Sequence, residues 1–138
     1  MKTLTLKLNW PPRGLSPNAR LNLWSKNNLF QRAKLEAYQT CRAAMIKEDV
    51  HSIEPKGGKG KRDGGRLNLT LICTPPLLRY RDEDNLIANC KAYFDGIAEA
   101  AQINDCLFHF REQAWLQPDP EKRGRLDIVL DWEEEDNE

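Results

Sequence analysis

Two stretches of strict apolar–polar alternation, each stopped by a pair of prolines, constrain this chain more than any other feature. In residues 3–10, Leu4, Leu6, Leu8 and Trp10 point one way and Thr3, Thr5, Lys7 and Asn9 the other, and Pro11-Pro12 comes next. In residues 66–74, Leu67, Leu69, Leu71 and Cys73 share a face before Pro75-Pro76. A period of two marks a half-buried strand, and proline, with no N–H to donate, ends a ladder. Between these strands Phe30, Ala33, Ala37, Cys41, Ala44 and Met45 recur at helical spacing. They predict a long helix over residues 26–48, with Ser25 as its N-cap. A second helix is predicted over 83–101, and two more strands over 107–117 and 125–132. The turn-rich segment Pro118-Asp119-Pro120-Glu121-Lys122-Arg123-Gly124 predicts a hairpin between those last strands. The order β-α-β-α-β-β reads as an α+β fold, two helices on one face of a mixed β-sheet.

The 138 residues suit a single domain, here residues 1–132. A chain of this size buries about two thirds of its unfolded surface and folds without a disulfide or metal staple. No run approaches the roughly 18 apolar residues of a membrane span. The alternating N-terminus is unlike a signal peptide. Cys41, Cys73, Cys90 and Cys106 are widely spaced, with no Cys-x-x-Cys pair. The expectation is a cytoplasmic protein with reduced thiols and no zinc site.

The net charge of zero conceals a division. Residues 1–47 hold nine Lys and Arg against one acid, Glu36, and the last six residues hold five acids. Basic surface of this kind can bind phosphate whatever the total charge. Residues 54–66 carry five glycines and no apolar side chain. They are expected to form a mobile loop, either a plain solvated excursion or a basic arm for DNA. The acidic segment 133–138 is expected to be disordered.

The segment Arg79-Tyr80-Arg81-Asp82-Glu83-Asp84-Asn85, followed by Lys91, Asp95 and Asp105, concentrates the chemistry. On a continuous helix Asp84, Lys91 and Asp95 fall within about 40° of one another. Leu86, Cys90, Phe94, Ile97 and Ala101 occupy a separate apolar arc. A few carboxylates from different segments suffice to hold Mg²⁺, a hard, oxygen-seeking ion. Such ions stabilise the attacking and leaving oxygens of phosphodiester hydrolysis, and a lysine can neutralise charge growing nearby. Plainer readings exist for each residue. Acids in a first helical turn suit the macrodipole, Lys91 and Asp95 have the spacing of a surface ion pair, and Asn104-Asp105 can be a turn.

These residues, in this order, resemble the RusA family of Holliday junction resolvases over most of the chain. The matching segments are Trp10-Pro11-Pro12, Ser16-Pro17-Asn18-Ala19-Arg20, Arg81-Asp82-Glu83-Asp84-Asn85, Lys91-Ala92-Tyr93-Phe94-Asp95-Gly96 and Ile103-Asn104-Asp105. The resemblance implies a homodimeric endodeoxyribonuclease, dependent on Mg²⁺ or Mn²⁺, that resolves four-way junctions in branched DNA by paired symmetric cuts. By it Asp82, Asp84 and Asp105 would hold the metal, Lys91 would assist catalysis, and Asn85 and Asp95 would support them. Lys91 lies three residues farther from Asn85 than in the best-known member, an insertion that turns the later part of a helix by about 300°. Arg13, Arg20, Lys26, Arg32, Arg79 and Arg81 are the candidate phosphate contacts. The alternatives are a structure-specific DNA-binding protein without nuclease activity and an interaction protein whose acidic helix face meets a partner. His51 and His109 suggest no general base, and Trp115 and Trp132 are expected in the core or a dimer interface.

Overall fold

Alternating side chains build the sheet, and the fullest apolar row takes its centre. In the computed structural model, residues 1–16, 19–56, 65–78 and 83–134 are described, Glu83 and Asp84 by their backbone. Most of the loop expected over 54–66 and most of the acidic segment 133–138 lie outside the described residues. The strands are β1 (Lys2–Asn9), β2 (Leu67–Thr74), β3 (Phe108–Trp115) and β4 (Arg125–Trp132). The helices are α1 (Leu23–Lys47), α2 (Glu83–Asn89) and α3 (Lys91–Ala101), with 3-10 turns at Arg13–Leu15 and Asp105–Leu107. The strand order is β1-β4-β2-β3. β4 runs antiparallel to both neighbours, and β3 runs parallel to β2. The fold is therefore α+β, with helices over a four-stranded mixed sheet.

Leu4, Leu6 and Leu8 of β1, Leu67, Leu69, Leu71 and Cys73 of β2, and Leu126, Ile128, Leu130 and Trp132 of β4 form one buried layer. Ala33, Ala37, Cys41 and Met45 of α1 and Tyr93, Phe94, Ile97, Ala100 and Ala101 of α3 close over it. The helices approach closely because residue 96 is glycine. A Cβ there would overlap the Lys34 carbonyl oxygen and lie 3.0 Å from both Ala37 Cβ and the Tyr38 nitrogen.

Three expectations are corrected. The last two strands are not a hairpin, because β4 lies between β1 and β2 while β3 pairs with β2 alone. The link 116–124 instead crosses the end of β2, where the Leu116 N–H donates to the Cys73 carbonyl and the Asp119 N–H to that of Pro75. The Asp119 carboxylate then accepts the N–H groups of Glu121, Arg123 and Gly124. The N-cap of α1 is Asn22, whose side-chain oxygen accepts the Ser25 N–H at 2.8 Å, so Ser25 is already inside the helix. The helix expected over 83–101 is interrupted at Cys90 (φ −97°, ψ 6°), whose N–H is shared between the Leu86 and Ile87 carbonyls. A stripe computed for one continuous helix therefore does not carry across it. Among the described residues no helix is long and apolar enough to cross a membrane.

Candidate functional site

The candidate acids lie along the connection that leaves the C-terminal end of β2 and returns to the start of β3. Arg79, Arg81 and Asp82 fall outside the described residues. Asp84 stands at the second position of α2, followed by Asn85, which is exposed. Leu86 and Cys90 anchor this part of the chain in the core. Burial pushes the Cys90 thiol well above its ordinary pKa, with the neighbouring Cys73 adding to the effect. Lys91 then opens α3 in solvent, and Asp95, half-buried, comes one turn later on the same flank.

Asp105 stands at the far end of α3. Gln102 takes a left-handed conformation (φ 57°, ψ 44°) that ends the helix, and the chain turns back toward β3. The Asn104 side chain caps the 3-10 turn by accepting the Cys106 N–H at 2.9 Å. Asn104 thus holds the turn, and the Asp105 carboxylate is exposed. Eleven residues of α3 place about 16 Å of helix between the Lys91 end and the Asp105 end. Asp95 is one turn farther along that helix than Lys91, and its neighbour Phe94 meets Phe108 edge-on (ring centroids 6.5 Å) and Phe110 at 4.8 Å. Lys91 and Asp95 form no ion pair with each other among the described residues.

Other contacts fix α3 in place. The Tyr93 hydroxyl donates to the Asn9 carbonyl at 2.8 Å. The Asn9 N–H and side-chain amide donate to Glu36, at 2.9 and 3.3 Å. Burial, with the charge of Glu36, pushes the Tyr93 hydroxyl well above its usual pKa. Lys34 pairs with Glu99 at 3.1 Å. The sole acid of residues 1–47 and the last acid of α3 are thus both spent on joining α1, α3 and β1. The sequence pattern did not single out Glu36 or Tyr93 for this, because pairing between distant segments leaves no local signal.

The described basic candidates lie on the approach to α1 and along its first half. Arg13 is in the first 3-10 turn, Arg20 precedes the helix, Lys26 is in its opening turns, and Arg32 lines a pocket of about 250 Å³ with Trp10, Glu36 and Tyr93. Arg13, Arg20 and Arg32 are exposed, and Lys26 is half-buried. Trp24, which the helical periodicity passes over, is 76% exposed among them. Trp132 is wholly buried, and Trp115 packs edge-on against Trp10 (5.8 Å). Both belong to the core side of the sheet. His51 and His109 are exposed.

Asp84 and Asp105 offer carboxylate oxygens, the ligands Mg²⁺ prefers, whereas the thiol adjoining Lys91, Cys90, is buried and held protonated. Among the described residues no three His, Cys, Asp or Glu side chains gather closely enough to share an ion.

Compared with known proteins, the chain is 34% identical over 108 residues to an uncharacterized protein of Xylella fastidiosa (strain Temecula1 / ATCC 700964). The similarity covers 78% of this chain and 63% of that relative, so the chain spans less than two thirds of the relative's length. No family model matches the chain.

Proposed function

We propose that the protein is a divalent-metal-dependent endodeoxyribonuclease that resolves four-way junctions in branched DNA as a homodimer. The observation that carries this reading is the division of labour among the charged groups of the β2–β3 connection. Glu99 is engaged by Lys34, and the turn before β3 is held by Asn104. Lys91, Asp95 and Asp105 make no side-chain hydrogen bond or ion pair among the described residues. The ion-pair explanation of Lys91 and Asp95 therefore loses its ground, whereas Asp105 does stand in the turn that Asn104 caps, with its carboxylate left exposed; the three side chains remain open to a role toward something outside the chain. The resemblance of the same residues to the RusA pattern gives that role its chemistry.

In this reading Asp82, Asp84 and Asp105 would hold Mg²⁺ or Mn²⁺ through carboxylate oxygens. The bound metal would supply positive charge to a phosphoryl oxygen and to the leaving oxygen. Lys91 would offset charge growing on the phosphate, and Asn85 and Asp95 would support the acids. Arg13, Arg20, Lys26, Arg32, Arg79 and Arg81 would hold the DNA backbone rather than base edges.

The dimer follows from the substrate. A four-way junction has near two-fold symmetry, and a two-fold dimer supplies one site for each strand to be cut.

The test is a four-way junction labelled on each strand in turn, incubated with the protein with and without Mg²⁺. Two symmetric nicks that appear only with the metal are expected. Junction binding without metal-dependent nicks would replace the nuclease by a binding protein, and absence of binding would remove both.

A further inference from the structure

Trp24 combines properties that the core and the proposed metal site do not use. It is the second residue of α1, and 76% of its surface is open to solvent. Of the four tryptophans it alone is exposed, since Trp10 and Trp115 are half-buried and Trp132 is fully buried. An indole left in water forgoes the largest apolar gain any side chain offers, so its position asks for an occupant.

The surroundings indicate which occupant. Residues 13–26, which lead into and open α1, contain Arg13, Arg20 and Lys26 and no Asp or Glu. The 3-10 turn that carries Arg13 lies against the start of α1, with Gly14 beside Leu21 and Leu29. The first turn of α1 holds no acid either, so its N-terminal partial charge adds to the positive field. A flat apolar ring in a cationic setting matches an unstacked nucleobase whose phosphate is held nearby.

A protein partner fits less well. Interface cores are depleted in charge, and a stable dimer covers about 800 Å² on each partner. The exposed apolar side chains here, Leu21, Leu23 and Trp24, supply a fraction of that, since even an aromatic residue buries only about 150–250 Å².

We infer that Trp24 is a stacking platform for an unpaired base at the branch point of the DNA, with Arg20, exposed just before the helix, contacting the adjoining phosphate. The inference rests on the DNA-processing role proposed above but is separable from it, since stacking needs neither metal nor cleavage.

The test uses the tryptophan emission of the full-length protein, titrated in EDTA with a four-way junction and with a single-stranded oligonucleotide. Quenching of an acrylamide-accessible component is expected with both, and its loss in Trp24→Phe. Junction affinity should fall about 5- to 150-fold in Trp24→Ala, the range of one base–aromatic stack, and stay within about threefold of wild type in Trp24→Phe. Sedimentation should show both variants in the same oligomeric state as wild type. Unquenched emission on a bound junction, with Trp24→Ala binding as wild type does, would overturn the inference and leave the nuclease reading intact. Dissociation of an oligomer by Trp24→Ala would overturn it in favour of an interface between copies. Absence of DNA binding by wild type would overturn both.

Discussion

Gly96 is where core and candidate site meet, and its replacement by alanine sets two effects of opposite sign against each other. In a helix interior, alanine is favoured over glycine by about 0.8–1 kcal/mol, so Gly96→Ala would stabilise α3 in isolation. In the fold the added Cβ would overlap the Lys34 carbonyl oxygen and lie 3.0 Å from Ala37 Cβ and from the Tyr38 nitrogen. Two of these three obstacles are backbone atoms of α1, which cannot rotate aside as a side chain would, so the helices must separate. Overpacking of a close contact costs about 1–3 kcal/mol. With two backbone obstacles the cost belongs in the upper part of that range, about 2–3 kcal/mol, and it exceeds the propensity gain by about 1–2 kcal/mol. Urea unfolding should show a lower midpoint at unchanged m-value, and the melting temperature should drop by about 3–8 °C. A variant as stable as wild type, or more so, would refute the claim that glycine is required for the close approach of α1 and α3.

At the other end of the sheet, the Asp119 carboxylate is pulled below its ordinary pKa by the N–H groups of Glu121, Gly124 and Arg123 and by the Arg123 charge. A group depressed in the folded state contributes stability above its unfolded pKa, about 3.9 for Asp, and loses it as pH falls through the lower folded value. The stability difference between wild type and Asp119→Asn should therefore shrink as urea titrations move from pH 7 to pH 3, whereas a constant difference would remove Asp119 from the acid response. Of the four cysteines, Cys41, Cys73 and Cys90 are buried and Cys106 is exposed, with the Cys41 thiol pushed up to about 11 by burial. A thiol reagent at pH 8 should modify one equivalent quickly and all four only on unfolding, and a second fast equivalent would contradict the core as described.

What the sequence made legible was whatever repeats locally. The alternation of Leu4, Leu6 and Leu8, and of Leu67, Leu69, Leu71 and Cys73, located β1 and β2 to within a residue or two, because burial on one side of a sheet imposes that period. Competition between distant segments was not legible. Turn residues 118–124 suggested a hairpin, but strand pairing was decided by which strand gains most from the centre. β4 offers Leu126, Ile128, Leu130 and Trp132, all buried, whereas β3 carries exposed His109, Arg111 and Glu112. β3 consequently takes an edge, where its polar groups keep their water.

The start of α1 escaped for a related reason. Leu23 and Trp24 are exposed, so the apolar stripe begins after the helix does, and Asn22 caps it one turn earlier than Ser25 would. The interruption at Cys90 has no glycine or proline to announce it, and nothing in the structure explains why the helix breaks there. The stripe of Asp84, Lys91 and Asp95 expected on one helix was not legible correctly for the same reason, because the break at Cys90 divides it between α2 and α3.

In a metal-dependent nuclease the aspartates of the site serve cutting rather than folding or DNA affinity. The direct measurement is single-turnover cleavage of a four-way junction in Mg²⁺ by wild type, Asp84→Asn and Asp105→Asn, with junction affinity and urea stability determined for the same three proteins. Rates lower by on the order of 10²-fold or more are expected in both variants, with affinity and stability close to those of wild type. Cleavage that survives either substitution, or a loss that only tracks unfolding, would contradict the proposed role of these acids.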